Sequence, residues 1–160
     1  MRSEWEANRA IDRYADLVRR VCMIHLKNHA DTEDIFQTVF LKYVTGTTEF
    51  ESEEHEKAWF IRVTINACKD LLRSFFRSRI VSLDDLLEQP DQVSEDHREV
   101  LEAVLALPDK YRDVAYLHYY EGYTAPEIGT ILHKNPNTVY TLLTRARDEL
   151  RKMLGGEDFE

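Results

Sequence analysis

The chain has 160 residues, 43% of them hydrophobic and 32% charged, a composition typical of a globular protein and unlike that of a disordered chain. Its length allows one modest domain or two small ones. The net charge of −9 argues at first against nucleic-acid binding, but the acidic excess is local. Residues 81–110 hold 2 basic and 9 acidic side chains, whereas residues 1–80 hold 13 of each, so either flank can present a basic face to phosphate.

The sequence offers no sign of membrane insertion, export or metal binding. No apolar run approaches the length of a membrane-spanning helix, and the first residues lack the apolar core of a signal peptide, so we expect a cytoplasmic protein. Cys22 and Cys68 lie in apolar helical patterns, with no second Cys or His at metal-ligand spacing. We therefore expect buried thiols and no cofactor.

Two helices are predicted at the start of the chain, over 4–28 and 31–44, with Asp31 as the N-cap of the second. The apolar positions of the first are Ile11, Tyr14, Leu17, Val18, Val21, Met23 and Ile24. The second would bury Ile35, Phe36, Val39, Phe40 and Tyr43 and expose Asp34, Gln37, Thr38 and Leu41. A leucine among exposed polar groups is typical of a protein interface, although singly exposed leucines are also common. Periodicity leaves both interpretations open.

A polar loop over 45–55 precedes a third helix, predicted over 56–78. Its core stripe would comprise Ala58, Ile61, Ile65, Cys68, Leu72 and Phe75. A different face carries Trp59, Arg62, Asn66, Lys69, Arg73 and Arg77. Cations meet phosphate and an aromatic ring stacks on unpaired bases, so this face is typical of a nucleic-acid surface. The alternative is a solvated face with Trp59 packed on the loop, and with Asp70 paired to Arg73 or Arg77.

The segment 80–95 is acidic, contains Pro90 and has no clean period, so it is predicted to be a linker. Four shorter helices should follow, at about 96–107, 109–121, 124–132 and 136–154. The predicted fold is thus all-α, with two small helical domains, 1–79 and 96–160, joined by the acidic linker.

The last two helices have the pattern of a helix-turn-helix. Thr124 is a predicted N-cap with Glu127 as its capping-box partner, a turn follows at 133–135, and Pro136 suits the first turn of the next helix. That helix would bury Val139, Leu142, Leu143, Ala146, Leu150, Met153 and Leu154. Its candidate DNA contacts are Asn137, Thr138, Tyr140, Thr141, Thr144 and Arg145. Short polar side chains at its start suit base edges and arginines suit phosphate, although a helical hairpin with a solvated face is the alternative.

Two blocks of sequence resemble the extracytoplasmic-function sigma factors of bacterial RNA polymerase. DTEDIFQTVFLKY (31–43) followed by KAWFIRVTINACKDLLRS (57–74) is similar to the family's polymerase-binding helix and downstream-promoter helix. LALPDKYRDVAYLHYYEGYTAPEIGTILHKNPNTVYTLLTRARDELRKML (105–154) is similar to its C-terminal helix-turn-helix domain. The chain departs from the family pattern in SFFRSRI (74–80), where a basic run is frequent, and at Tyr140 and Leu142, where cations are common.

The resemblance implies a sigma factor that binds core RNA polymerase and directs promoter recognition, DNA melting and initiation, rather than an enzyme. The polymerase contacts it implies are Asp34, Gln37, Thr38 and Leu41, facing the clamp helices of the largest subunit. Arg62, Asn66, Lys69, Arg73 and Arg77 would meet the melted minus-ten element, and the 45–55 loop would receive a flipped base. The helix-turn-helix residues would read the minus-thirty-five element. The linker would thread toward the active-site channel, and an anti-sigma protein is an expected partner.

Three other functions compete with this hypothesis. One is a helix-turn-helix regulator that binds duplex DNA without polymerase. Another is a helical adaptor that binds only protein through the acidic segment, which would lack salt-dependent DNA affinity. An enzyme is disfavoured because the six histidines are scattered and no nucleophile–base pair or phosphate loop is present. The acidic residues over 49–56 are interpreted as a solvated loop, and the EHEK run (54–57) lacks the spacing of a zinc hydrolase.

Overall fold

The structure is a computed structural model that describes residues 1–78 and 102–154, with side chains described through residue 74 in the first range. The chain divides into two compact units, Met1–Asp91 and Gln92–Glu160. All regular structure among the described residues is helical, as the sequence predicts. The predicted linker over 80–95 and the first part of the helix predicted at 96–107 lie outside the described residues; 102–105 are helical.

The N-terminal unit consists of α1 (Glu4–Leu26), α2 (His29–Thr45) and α3 (Glu53–Ser78). Asp31 is not the N-cap of α2, contrary to the prediction. Asn28 caps the helix instead, accepting the Asp31 N–H at its Oδ1 (2.9 Å), and its side-chain amide donates to the Asp31 carboxylate at 2.7 Å. Both Asn and Asp can cap a helix, and here Asn28, which precedes Asp31 in the chain, accepts a free N–H group of the first turn.

The core of the N-terminal unit is built where α1 packs against both α2 and α3. Phe60 is fully buried, and its ring lies 4.6 Å from Tyr14, 5.0 Å from Tyr43 and 5.2 Å from Phe40, measured between centroids. The core stripe predicted for α3 is only partly correct, because Ala58 and Leu72 are half-buried and the Phe75 side chain lies outside the described residues. The buried face is also wider than predicted, since the helix touches two neighbours. Its other buried residues are Ile61, Thr64, Ile65, Ala67 and Cys68.

Some predicted core positions are not buried. Ile11 is exposed, and Phe36 is half-buried, with the Arg19 guanidinium carbon 4.2 Å from the centroid of its ring. The same guanidinium donates from Nε to Glu33 at 3.0 Å. Cys22 and Cys68 are both buried free thiols, as predicted.

The C-terminal unit contains α4 (Asp109–Ala115), a π-helical turn (Tyr116–Tyr120), α5 (Ala125–Leu132) and α6 (Pro136–Leu154). The helix predicted over 109–121 therefore ends in a wider turn. α4 and α5 both pack on α6, whose buried residues are Val139, Leu143, Ala146 and Leu150. Met153, predicted to be buried, is exposed, and Leu142 and Leu154 are half-buried. The buried face of α6 fixes which of its side chains point outward.

Candidate nucleic-acid and polymerase interfaces

The capping box predicted at the start of α5 is present. The Thr124 Oγ1 accepts the Glu127 N–H at 3.3 Å, and the Glu127 carboxylate accepts the Thr124 N–H at 2.9 Å. These hydrogen bonds, first that from the Thr124 backbone, lower the pKa of Glu127 below its ordinary value. The N-terminus of α5 is therefore fixed by two reciprocal hydrogen bonds.

The turn between α5 and α6 depends on Gly129, whose role the sequence did not reveal. His133 ends α5 in the left-handed conformation (φ 56°), and the Lys134 N–H donates back to the Gly129 carbonyl at 2.8 Å. A Cβ at Gly129 would lie only 2.7 Å from the Lys134 carbonyl oxygen, a contact that any other residue would have to relieve by moving backbone. A helical glycine four residues before a turn was the available signal.

The polar side of α6 carries all six candidate DNA contacts of this helix. Every one of them is exposed: Asn137, Thr138, Tyr140, Thr141, Thr144 and Arg145. Two of the hydroxyls are bonded to the helix backbone, because Thr141 donates to the Asn137 carbonyl (3.1 Å) and Thr144 to the Tyr140 carbonyl (3.0 Å). We call these six residues the α6 polar face.

The outward side of α2 is formed by the four residues predicted for it. Asp34, Gln37, Thr38 and Leu41 are all exposed, and we call them the α2 outer face. Leu41 is 64% exposed, although it lies one residue from the buried Phe40. Helical geometry sends these neighbours to different sides, so the unit presents an apolar side chain within a polar surround.

The polar side of α3 is less uniformly exposed. Asn66 and Arg73 are exposed, whereas Arg62 and Lys69 are half-buried; we call these four the α3 polar stripe. The side chain of Arg77, predicted to continue it, lies outside the described residues. Arg73 is 3.7 Å from the Asp70 carboxylate, the pairing foreseen as an alternative, but exposed pairs of this kind are weak and leave the arginine available.

Trp59 packs on the loop that follows α2, which was the alternative to its stacking on a base. Its ring is half-buried, 5.9 Å from Phe50 in the loop and 4.9 Å from Phe60, measured between centroids. At the end of the loop, Ser52 accepts the His55 N–H at 3.1 Å and so starts α3 three residues earlier than predicted. The exposed residues at the loop's centre are Thr47, Thr48 and Glu49.

Glu56 has a structural role that the sequence did not reveal. The interpretation of 49–56 as a solvated loop is wrong for its second half, because Glu53–Glu56 belong to α3. Glu56 accepts the hydroxyl proton of Tyr14 at 2.9 Å and that of Tyr43 at 3.0 Å, and so links all three helices. Burial, followed by these hydrogen bonds, raises the pKa of both tyrosines. The sequence shows Glu56 only as one of several glutamates in 49–56, so the pattern of charges could not reveal its structural role.

The part of the chain that the structure describes contains neither a metal-binding cluster nor a membrane-spanning helix. Over 1–78 and 102–154, no group of three or more His, Cys, Asp or Glu side chains could hold a metal ion. No helix within these ranges is both long and apolar enough to cross a bilayer.

Comparison with known proteins matches both halves of the chain to one family. The Sigma-70 region 2 family matches residues 10–78, and Sigma-70, region 4 matches residues 97–150. The RNA polymerase sigma factor SigV of Bacillus subtilis is 30% identical over 142 residues, which cover 87% of this chain and 85% of that protein. The ECF RNA polymerase sigma factor SigW of the same organism is 30% identical over 162 residues, covering 90% and 86%.

Two solved structures share the fold. The sigma factor RpoE, in complex with the anti-sigma factor NepR from Bartonella quintana, aligns with a TM-score of 0.74 at 19% identity, covering 94% of this chain and 97% of that one. CnrH, in complex with the cytosolic domain of CnrY, aligns with a TM-score of 0.70 at 19% identity, covering 97% and 91%. With both regions matched in order, and with relatives this similar over most of their length, the chain belongs to the extracytoplasmic-function sigma factors, the subunits that bind core RNA polymerase and direct promoter recognition and transcription initiation.

Proposed function

We propose that this sigma factor divides promoter-dependent initiation among three surfaces: the α2 outer face, the α3 polar stripe with its neighbouring loop, and the α6 polar face. The observation that carries the proposal is the exposure of Leu41 beside Asp34, Gln37 and Thr38. DNA binding by a helix-turn-helix regulator does not require an apolar side chain in that position, whereas a polymerase interface does.

The α2 outer face is proposed to bind the clamp helices of the largest polymerase subunit. Transient protein–protein interfaces combine a small apolar centre with a polar rim, and Leu41 among three polar neighbours has this pattern. Thr38 donates to the Asp34 carbonyl at 3.0 Å, so its hydroxyl proton is satisfied within the helix. Asp34 and Gln37 then offer the partner their polar groups, and Thr38 offers an acceptor oxygen and a methyl group.

The α3 polar stripe is proposed to contact the melted minus-ten element, with Arg77 continuing it. Lys69 and Arg73 are spaced by one helical turn, which lets both follow one strand of phosphates. The loop over 45–55 would receive a base flipped out of the stack, through the exposed residues at its centre. Trp59 packs against that loop through its ring contact with Phe50.

The α6 polar face is proposed to read the minus-thirty-five element in the major groove. The support is the helix-turn-helix geometry, in which the start of the second helix meets base edges and cations meet phosphate. Asn137, Thr138 and Thr141 lie in the first two turns of α6, and Arg145 follows them. Tyr140, which is 55% exposed, would contribute an aromatic surface where cations are common in the family.

The remaining expectations complete the proposal. The domain limits are proposed as 1–79 and 96–160, with 80–95 as the linker that enters the polymerase channel. The protein is proposed to act in the cytoplasm as a binding subunit rather than as an enzyme, and without a cofactor. An anti-sigma protein is a proposed partner, supported by the partners named for the two structural relatives.

Reconstitution tests the proposal as a whole. The purified chain is combined with bacterial core RNA polymerase, and run-off transcription is measured across a pool of promoter fragments from its own genome. Initiation at defined promoters, with two separated sequence elements enriched, is the expected result. If the chain fails to bind core polymerase while a known sigma factor is active in parallel, a helix-turn-helix regulator becomes the better account.

A further inference from the structure

Arg2 joins the end of α2 to the loop over 46–52. Its backbone N–H donates to the Val44 carbonyl at 2.8 Å, its Nε donates to the Tyr43 carbonyl at 2.8 Å, and its Nη2 donates to the Thr48 carbonyl. The side chain is only 14% exposed, which is low for an arginine. A single residue therefore links the last turn of α2 to the middle of the loop.

The hydrogen bonds to Tyr43 and Val44 satisfy groups that α2 itself leaves open. The last four carbonyls of a helix have no donor within it, and the positive charge of a cation is favourable at that end. The Gly46 N–H donates to the Lys42 carbonyl at 3.0 Å, and Arg2 donates to the carbonyls of Tyr43 and Val44. The donor for Val44 is the backbone N–H, whereas the guanidinium, a planar group with five N–H donors, reaches the Tyr43 and Thr48 carbonyls from one side chain.

The same guanidinium covers the aromatic layer on which the loop rests. Its carbon lies 4.4 Å from the centroid of the Tyr43 ring and 5.4 Å from that of Phe50. Phe50 in turn meets Trp59 and His55 edge-on, at 5.9 Å and 5.3 Å between centroids. Arg2 thus fixes the backbone of the loop and its apolar support together, while the residues at its centre stay exposed.

We propose that Arg2 is a positioning residue, which holds the 46–52 loop in the shape that selects one unpaired base of the minus-ten element. The inference rests on the proposed function of that loop. Because Nε and Nη2 are bonded to carbonyls and Nη1 lies 3.8 Å from the Glu6 carboxylate, Arg2 acts through the loop and not by touching the base. A loop ordered before DNA arrives loses less entropy on binding, and this favours the base that fits its fixed shape.

The test uses holoenzyme assembled from core polymerase and the full chain without a tag near Arg2. Open-complex formation is measured on promoters in which each minus-ten position is changed singly. For Arg2→Ala we expect discrimination at one minus-ten position to fall about ten-fold, the scale expected when one or two loop residues must be ordered on binding. Affinity for core polymerase and discrimination in the minus-thirty-five element should stay as in the wild type.

Two further variants make the result specific. Arg2→Lys keeps the charge but lacks the planar donors, so it should show most of the same local loss. Arg9→Ala is the matched control, because Arg9 is a 44% exposed arginine on α1 that faces Trp5 and Glu53 instead of the loop. It should behave as the wild type.

Each other outcome overturns the inference. An unchanged profile in both Arg2 variants removes Arg2 from base selection. An equal loss at every promoter position, together with weaker core binding, shows a purely structural role. If Arg2→Ala does not fold, Arg2→Lys decides between these outcomes. If the wild-type holoenzyme opens promoters but discriminates at no minus-ten position, the proposed function of the loop fails, and the wild-type profile alone reveals this.

Discussion

Glu56 shows how one carboxylate can hold a small helical unit together. It receives a hydroxyl proton from α1 and another from α2 while belonging to α3. A hydrogen bond to a charged acceptor contributes more than a neutral one, on the order of 1.5–3 kcal/mol. The unit is small and its hydrophobic core is limited, so two such bonds are a substantial part of its stability.

Replacing Tyr14 by Phe should lower the free energy of unfolding of the N-terminal unit by about 1.5–3 kcal/mol at neutral pH, since one of these hydrogen bonds is lost. Tryptophan fluorescence can measure this, because both tryptophans, Trp5 and Trp59, lie in that unit. Tyr119→Phe, in the other unit, is the control and should leave the fluorescence transition unchanged. A Tyr14→Phe transition at the wild-type denaturant concentration would contradict the role assigned to Glu56.

The same variant should change the response to alkaline pH. The pKa of Tyr14 is raised in the folded chain, so the unfolded chain ionises first, and stability is lost as the pH rises above the ordinary value of 10.0. Phenylalanine removes this contribution, so the variant should lose less stability above that pH than the wild type. Equal alkaline losses in the two proteins would argue that Tyr14 is not held neutral.

Helical periodicity identified the exposed residues correctly but did not identify residues whose roles depend on particular tertiary contacts. Leu41 and the threonines of α6 could be placed outward because helical spacing fixes the face of each residue. Gly129 and Glu56 could not be found in this way, since one depends on a neighbouring backbone and the other on two side chains distant in sequence. Such roles require the tertiary structure.

At the scale of helices, α2 has one buried face and one exposed face. Ile35, Val39 and Tyr43 are buried against the other helices, whereas the α2 outer face points outward. Replacing an outward residue should therefore alter binding with little effect on folding.

Leu41→Asp should prevent binding to core polymerase, weakening it by a factor of about 30 or more, because a charge would enter the apolar centre of the interface. Ile11→Asp provides the control: it makes the same type of substitution at an exposed apolar residue that lies on α1 and not on α2. Competition with a labelled sigma factor for core polymerase measures both. Normal binding by Leu41→Asp would remove the α2 outer face from the polymerase interface.

Replacing Lys69 and Arg73 together by Ala should weaken promoter opening while leaving affinity for core polymerase intact. Each phosphate contact removed should reduce the slope of log affinity against log salt by about 1, so the double variant should lose about 2. Arg9 and Arg13, the matched pair of cations on α1, can be changed to Ala as the control. A parallel loss of polymerase binding and promoter opening would contradict a DNA role for the α3 polar stripe.

The helices themselves were predictable to within a few residues, and the errors have local causes. α3 begins earlier than expected because Ser52 accepts a backbone N–H, and α2 begins earlier because Asn28 does. The helix predicted to end at 121 contains a π-helical turn over Tyr116–Tyr120, which periodicity alone does not reveal. In the C-terminal unit, the Thr124 capping box predicted the start of α5 correctly, and Pro136 predicted the start of α6.

At the scale of the whole molecule, the two units have separate cores. In the C-terminal unit, α4, α5 and α6 surround Leu117, Ile128, Val139 and Leu150. The acidic composition of residues 80–95 predicts a linker between the two domains, and this stays a prediction because those residues lie outside the described ranges.

A fragment spanning 96–160 should fold alone and unfold cooperatively, as measured by circular dichroism during heating. Leu150→Ala in that fragment should lower its stability by about 2–5 kcal/mol, because Leu150 is fully buried. Lys152→Ala, at an exposed position on the same helix, should have little effect. A fragment without a cooperative transition would contradict two independent domains.

The back-bonded threonines of α6 carry a consequence for which bases they can accept. Thr141 and Thr144 have committed their hydroxyl protons to the helix, so they offer a base edge only an acceptor oxygen and a methyl group. Adenine and cytosine present amino donors to such an oxygen, and thymine presents a methyl group, but the major-groove edge of guanine carries acceptors alone. We therefore expect guanine to be the least favoured base opposite these two positions, and a selected promoter pool rich in guanine there would show that the hydroxyls leave the backbone when DNA binds.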